Sequence, residues 1–447
     1  MYKNKKILVL GMARSGYEVS RLLSKYNNDI IVTDKKDQDI KHIEELEELG
    51  VTFIKSEDPI DLLDSSFDLV IKNPGIRYDH PLILKAIELG IRVENEIEVA
   101  YHFLPKDAFI IAVTGANGKT TTTTLCYEFA SQIKNRKVHL GGNIGYPLSQ
   151  IVEDVSSGDV VVLEISAQQL HDCYDFKPNV SILTNLVPVH IDFFGDYKNY
   201  INHKLKIFMN HSSSDIAVIN KGNSDSYEST KDIKSKKVYF SSADVDSDVY
   251  IQDKAIYYKE ERIINLNEIR IKGMHNYENI MCAIVATKEL GISNEAIKEV
   301  LSKFAGVEHR LEFAGRVNGR DFYNDSKATN VKSTEIALNA FDSPVILLLG
   351  GLDRGHSFED LSDDLTNVTH IISYGETKNR IKEFADKYNV DCVVVDTLKE
   401  AVKCAYSISN EGDTILLSPA CASWDQYDSF EDRGKDFKEE VEKLNDL

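Results

Sequence analysis

Short apolar runs alternate with longer amphipathic stretches along almost the whole chain, the pattern of strands and helices taking turns. The first series opens with Lys6–Leu10, a glycine-containing turn, an amphipathic stretch Tyr17–Tyr26 and a second apolar run Asp29–Thr33. It continues through the helical stretch His42–Leu49, the strand Phe67–Ile71 and the helix Pro81–Leu89. A second series begins at Phe109–Val113 and runs through Lys137–Leu140, Asp159–Glu164, Val180–Thr184 and Asp215–Ile219. The tract Val238–Ile271 alternates residue by residue and reads as antiparallel, ahead of helices at Tyr277–Leu290 and Asn294–Phe304. A third series holds strands at Asp321–Tyr323, Pro344–Gly350, Val368–Tyr374, Asp391–Val395 and Asp413–Leu417, with helices between. Strands alternating with helices predict an α/β protein whose mostly parallel sheets are covered on both faces. Three series predict three domains, at residues 1–98, 99–305 and 306–447, abutting through short connections because no low-complexity linker separates them.

Composition narrows the class. At 447 residues the chain exceeds one ordinary core, and 42% hydrophobic with 28% charged residues is the balance of a globular protein. The longest apolar runs, Val345–Gly351 and Phe109–Val113, have strand length, so no membrane insertion is expected. The basic start Met1–Lys6 is followed only by Ile7–Leu10 before Gly11, so no signal peptide is expected. Six scattered cysteines (Cys126, Cys173, Cys282, Cys392, Cys404 and Cys421), without a CxxC pair, read as reduced buried thiols of a cytoplasmic protein. A formal charge of −20 argues against nucleic acid and against an anionic membrane surface. It leaves room for a small anionic substrate, because amide nests, lysines and metal ions act locally.

The strongest chemical signal is Thr114-Gly-Ala-Asn-Gly-Lys-Thr-Thr, lying between the apolar run Ile110–Val113 and a helical stretch from Thr121 to Ile133. Gly115 and Gly118 let the backbone curl so that the N–H groups of Ala116, Asn117 and their neighbours face phosphate oxygens, and the helix that follows adds its dipole. Lys119 would bridge β- and γ-phosphates, Thr120 would ligate magnesium, and Thr121 would extend the cradle. The spacing is two residues shorter than the G-x-x-x-x-G-K-T pattern.

The shorter loop resembles the nucleotide loop of the Mur ligases and of the related folylpolyglutamate synthases, and further motifs extend the resemblance along nearly the whole chain. Leu163-Glu-Ile-Ser-Ala-Gln-Gln-Leu is similar to the family's L-E-x-S-S-x-Q-L, with Ala167 for the second serine. Asn185-Leu-Val-Pro-Val-His-Ile-Asp is similar to N-x-x-x-D-H-x-D, with Val189 at the aspartate position and His190 and Asp192 retained. The resemblance implies that Glu164 and His190 hold two Mg2+ ions together with Thr120. Lys204, in an expected helix Tyr197–Phe208, matches the lysine that this family carbamylates with CO2 into a carboxylate-like metal ligand. Lys206 is the competing candidate. The family's fold implies a Rossmann-like N-terminal domain, a central P-loop ATPase-like domain and a Rossmann-like C-terminal domain. Its chemistry implies that ATP converts a carboxylate into an acyl phosphate, which an amine then attacks.

The remaining motifs give the ends of the site. Gly273-Met-His-Asn-Tyr-Glu-Asn resembles the adenine-contacting G-x-H-N-x-x-N, with Asn276 and Asn279. Glu308-His-Arg-Leu-Glu matches H-R-x-E, which assigns Arg310 to ATP; Asn324-Asp-Ser-Lys-Ala-Thr-Asn matches D-S-K-A-T-N, which assigns Asp325 to the ribose and Lys327 and Thr329 to the amino acid or phosphate. Gly11-Met-Ala-Arg-Ser-Gly after a strand would by itself suggest a dinucleotide turn, but Ala13 stands at the middle glycine. The resemblance gives this turn, with Ser15, Asp34 and Lys35, to the UDP of UDP-N-acetylmuramoyl-L-alanine, and Asn143 to the muramoyl-alanine portion. Leu417-Ser-Pro-Ala-Cys-Ala-Ser-Trp-Asp-Gln-Tyr-Asp-Ser-Phe-Glu-Asp-Arg-Gly resembles the branch that adds D-glutamate, with Ser423 and Phe430 at its amino-acid positions. Gly350-Gly-Leu-Asp-Arg resembles G-G-x-D-[KR], so Arg354 could pair with a glutamate carboxylate where relatives carry lysine. No D-N-P-R string, the mark of the diamino-acid branch, occurs. A monomer is expected, with the third domain closing on nucleotide. A folylpolyglutamate synthase, a nicotinamide oxidoreductase and a non-catalytic P-loop switch remain as alternatives.

Overall fold

The computed structural model of the chain describes every residue except Val189, His190, Asp342 and Leu447. Residues 1–268 with 275–300 form one compact unit, and residues 269–274 with 301–447 form a second.

The first unit holds two sheets. Strands β1 (Lys6–Leu10), β2 (Asp29–Asp34), β3 (Thr52–Lys55), β4 (Leu69–Lys72) and β5 (Arg92–Glu94) lie parallel in the order β3-β2-β1-β4-β5. Alternate residues of β1 feed two cores, Ile7 and Val9 on one face, Leu8 and Leu10 on the other. A strand buried on both faces has to be apolar throughout, which is why it reads as a run and not as an alternation. β3 and β5 carry polar ends on only four and three residues, too short to register in the hydropathy pattern.

The second sheet comprises β6 (Phe109–Thr114), β7 (Val138–Gly142), β8 (Val160–Glu164), β9 (Val180–Leu183), β10 (Ile216–Asn220), β11 (Lys236–Ser241), β12 (Val249–Gln252), β13 (Ala255–Tyr258) and β14 (Glu261–Asn265). Its order is β14-β13-β12-β11-β10-β9-β6-β8-β7. Only β12–β14 are antiparallel to one another. β11, expected in that antiparallel tract, instead pairs parallel with β10, because buried Val238 and Phe240 continue the parallel core. β6 sits between β9 and β8, with Val113 opposite Glu164 and Thr114 opposite Leu183. The carboxyl ends of three strands therefore finish side by side, the place where α/β sheets bind ligands.

The second unit is built on β15 (Glu312–Val317), β16 (Arg320–Asn324), β17 (Val345–Gly350), β18 (Val368–Tyr374), β19 (Asp391–Val394) and β20 (Thr414–Leu417), in the order β15-β16-β20-β17-β18-β19. All pairs are parallel except β15–β16. Leu347 and Leu349 enter one core, Ile346 and Leu348 the other. All six cysteines are free thiols; four are buried, while Cys392 on edge strand β19 and Cys404 are half-buried. Among the described residues no helix is long and apolar enough to cross a membrane.

Candidate active site

The loop expected to cradle phosphate joins β6 to the helix Lys119–Ala130. Five consecutive threonines follow Lys119 in that helix, poor helix formers whose hydroxyls compete for backbone groups. Here two of them satisfy the turn behind them, Thr123 Oγ1 donating to Lys119 O at 2.8 Å and Thr124 Oγ1 to Thr120 O at 2.9 Å. Gly118 caps the helix with φ +77°, and a Cβ there would lie 2.1 Å from Asn279 Oδ1. At Gly115, φ +147°, a Cβ would lie 1.9 Å from Thr184 Oγ1. Both glycines are thus required by conformation and by space. Neighbouring Asn185 holds the loop from the side: its O accepts from Ala116 N at 2.9 Å and its Oδ1 from Asn117 N at 2.9 Å. Thr184 Oγ1 donates to Asn117 O at 2.6 Å. Sequence reading placed Thr184 at the end of a strand and Asn185 at the head of a motif but gave neither a role, although a polar pair ending a buried strand beside a glycine-rich loop is a usable signal. Lys119 Nζ donates to Ala116 O at 2.8 Å, and Thr120 and Thr121 are buried in the first turn.

Glu164 ends β8 and is 3% exposed. Its Oε1 accepts from Asn143 Nδ2 at 2.9 Å, while Oε2 is buried with no hydrogen-bond partner among the described residues. Asn143 also donates its backbone N–H to Glu164 O at 2.8 Å, so it is tied to the carboxylate as well as facing the end of β7. The segment after Glu164 is fixed by a reciprocal capping box between Ser166 and Gln169, in which buried Ala167 needs no hydroxyl.

Lys204 lies on the helix Tyr197–Leu205, which Asp196 caps. The apolar positions Tyr197, Ile201 and Leu205 only half-bury, and the face turned fully inward is Tyr200 and Lys204. Lys204 Nζ donates to Gly115 O at 2.7 Å and lies 5.0 Å from the Tyr200 ring centroid. Burial, reinforced by the Lys119 charge, pushes this amine well below the ordinary lysine range, against the pull of Glu164. The competing Lys206 instead donates to His171 O and Cys173 O, away from the loop. A buried carboxylate oxygen without a partner, a buried low-pKa amine and a glycine cradle fit bound nucleotide with magnesium. His190, expected as a further ligand, lies outside the described residues. Asn279 Oδ1 accepts from Thr122 Oγ1 at 3.3 Å, which sets Asn279 against the loop; Asn276 is half-buried one turn earlier.

In the first sheet's turn, Asp34 uses both oxygens on backbone, accepting from Met12 N at 2.8 Å and Lys36 N at 2.9 Å. Ser15 Oγ accepts from Asn73 Nδ2 at 3.1 Å, while Lys35 is exposed. A fully buried ion pair, Lys72 with Asp172 at 2.9 Å, joins the strand leading into this region to the segment after Glu164.

In the second unit, Asp325 begins the turn after β16 and is 5% exposed. Burial raises its carboxyl to about 7, opposed by a 2.7 Å bond from Ser418 Oγ and a 3.2 Å bond from Leu311 N. Arg310 adds a lowering charge. Lys327 Nζ stands 5.7 Å over the Phe430 ring. Thr329 follows in the same turn, half-buried. Ser423 is 1% exposed, and its Oγ has no hydrogen-bond partner among the described residues. Arg354 is exposed and lies 4.7 Å over the Trp424 ring. Arg433, unassigned from sequence, is fully buried and donates to Ser326 Oγ, Ser326 O and Cys421 O, clamping the two loops that carry Lys327 and Ser423. Three of the non-glycine residues in the left-handed region, His309, Leu311 and Ala420, lie in these loops.

The family models for the Mur ligase MurD-like N-terminal domain, the Mur ligase middle domain and the Mur ligase glutamate ligase domain match residues 5–95, 113–287 and 309–421. A UDP-N-acetylmuramoylalanine–D-glutamate ligase of Streptococcus agalactiae is 42% identical over 445 residues, covering 99% of this chain and 98% of that one. Proteins of the same name from Ligilactobacillus salivarius and Geobacillus kaustophilus are 42% and 41% identical, covering 100% and 99% of this chain and 98% of each. Among solved structures, UDP-N-acetylmuramate-alanine ligase MurC from Thermotoga maritima has a TM-score of 0.61 at 20% identity, covering 98% of this chain and 99% of that one. MurF ligase from Thermotoga maritima in complex with ADP has a TM-score of 0.58 at 16% identity, covering 99% and 96%. At those identities the two structures speak for the fold.

Proposed function

The chain belongs to the Mur ligase family, and from that premise we propose that it joins D-glutamate to UDP-N-acetylmuramoyl-L-alanine, consuming ATP and releasing ADP and phosphate. One observation carries the reading: a buried amine, Lys204, and a buried carboxylate with an unpartnered oxygen, Glu164, flank a phosphate loop in a chain 42% identical end to end to a ligase of that name.

Ala116 and Asn117, expected to turn their N–H groups to phosphate, give them to Asn185, so the amides at Gly118 and the start of the helix, with Lys119, hold the ATP phosphates, and Lys119 offsets charge on the γ-phosphoryl group as the substrate carboxylate attacks it. Thr120, Glu164 and Lys204 would hold Mg2+, with His190 as a further ligand, and the metal supplies charge neutralisation between phosphate and carboxylate oxygens. Lys204 suits carbamylation because only an uncharged amine adds CO2, and its lowered pKa favours the uncharged form. Lys206, held on carbonyls elsewhere, is not in position for that role. Asn276 and Asn279 serve the adenine of ATP, Asp325 the ribose and Arg310 the phosphates or ribose; Ser15, Asp34, Lys35 and Asn143 serve the nucleotide-sugar. Lys327, Thr329, Arg354, Ser423 and Phe430 serve D-glutamate, whose amine attacks the acyl phosphate and expels phosphate through a tetrahedral intermediate. Positioning and charge neutralisation carry the rate, with no covalent enzyme intermediate.

The test is phosphate release with ATP, Mg2+ and UDP-N-acetylmuramoyl-L-alanine against a panel of D- and L-amino acids. Release dependent on D-glutamate is expected. Release driven by another amino acid, or none with D-glutamate, overturns the substrate.

A further inference from the structure

Trp424 is the sole tryptophan of the chain, and it stands 64% exposed. A large aromatic surface in water is unfavourable unless something uses it. Arg354 lies over it, 4.7 Å from the ring centroid, and among the described residues no hydrogen bond or ion pair takes its N–H groups. Both side chains rise from an anchored base. Leu352 N donates to Ala422 O at 2.9 Å, joining the two loops. Asp353 N donates to Glu376 Oε2 at 3.1 Å and Glu376 N to Asp425 Oδ2 at 3.2 Å, so the residues preceding Arg354 and following Trp424 are fixed to one further segment. Ser423 O accepts from Gln426 N and Tyr427 N at 3.1 and 2.9 Å, closing the turn that presents Trp424. Beside it, the Ser423 hydroxyl is buried without a partner among the described residues, a state that costs stability until a polar ligand group meets it.

We propose that Trp424 is a positioning residue for the amino-acid substrate, stacking on Arg354 so that the guanidinium fork faces a carboxylate of a dicarboxylic amino acid beside Ser423. With the ring against the cation's face, the in-plane N–H edge, which grips a carboxylate in two-point fashion, would stay open. A lysine offers neither a flat face nor a fork, so the support that tryptophan gives is specific to arginine. This rests on the D-glutamate reading above.

Steady-state phosphate release is measured with D-glutamate varied at saturating ATP, Mg2+ and UDP-N-acetylmuramoyl-L-alanine. Trp424→Leu is expected to raise KM for D-glutamate about tenfold with kcat within about twofold, and Trp424→Phe to recover most of the loss. Arg354→Lys is expected to raise that KM about tenfold in the wild-type background and less than about twofold in the Trp424→Leu background, the coupling of a shared contact. Independent, multiplying losses, or an unchanged KM in Trp424→Leu, overturn the proposal. Wild-type turnover separates the two levels. If D-glutamate drives release but the cycle shows no coupling, the role of Trp424 falls alone; if wild type ignores D-glutamate, the substrate reading falls and this proposal with it.

Discussion

Gly118 shows how little freedom one position in the site has. Its φ of +77° strains any larger residue, and a Cβ would lie 2.1 Å from Asn279 Oδ1, so the Asn279 side chain and the loop would have to move. Gly118→Ala is expected to leave the fold intact and weaken ADP binding at least about tenfold, read by calorimetric titration, because the loop amides must shift to relieve the contact. Lys204 is set by burial and not by a partner charge alone. Lys204→Ala is expected to lower kcat more than about a thousandfold, with partial recovery on adding short-chain carboxylates that fill the space beside Gly115. No recovery would remove the carbamate role and leave the loop chemistry standing. At this scale the sequence named Lys119, Glu164 and Lys204 by motif. That Asn185 and Thr184 hold the loop came only from the fold, because partners 68 and 67 positions apart in sequence leave no local periodicity.

At the scale of elements, the ion pair between Lys72, ending β4, and Asp172, just past the helix Ala167–His171, is held at 0% and 4% side-chain exposure. Removing one partner strands the other charge in a dry interior. Lys72→Met and Asp172→Leu are each expected to cost about 3 kcal/mol in denaturant unfolding, while the double variant Lys72→Met/Asp172→Leu regains most of it. A double variant as unstable as the sum of the singles would show that the two side chains do not couple and would overturn the ion pair as the source of the single losses. His171, bonded to Asp172 Oδ1 at 2.6 Å, stacks on Tyr78 at 5.2 Å, so the same lock reaches the turn beyond β4. The strand-and-helix alternation was legible for most elements because buried parallel strands are apolar on both faces. It failed for β3 and β5, which are too short, for β11, whose pairing depended on a neighbour, and for β15 (Glu312–Val317), an edge strand whose residues are mostly half-buried and so carry no apolar run.

For the whole molecule, burial in the first unit leaves a carboxyl that responds to pH. Glu96, 2% exposed, accepts from Ser149 N at 2.5 Å, and burial raises it from 4.5 to about 7. A carboxyl that holds its proton more tightly when folded stabilises fully below its unfolded pKa and loses that contribution as pH rises through its folded value. Stability should therefore fall between about pH 5 and pH 8 through this group, by on the order of 2 kcal/mol. Glu96→Gln, which keeps the acceptor for Ser149, is expected to gain apparent Tm over wild type at pH 8 and not at pH 5. An equal gain at both values would assign the effect to packing. Chelation by EDTA is expected to stop phosphate release and Mg2+ to restore it, since two phosphate-bearing substrates meet a chain of net charge −20.

By itself the sequence determined the class, most of the alternation of strands and helices, and a glycine-rich loop ending in Lys119 between a buried strand and a helix, because local backbone demands and buried apolar runs are written in consecutive residues. The tertiary structure decided which lysine enters the site, which oxygen of Glu164 stays unpaired, and which side chains hold Arg354 and Arg433. Those outcomes depend on burial and on contacts between segments far apart in the chain, where desolvation and hydrogen-bond pairing, not periodicity, set the result.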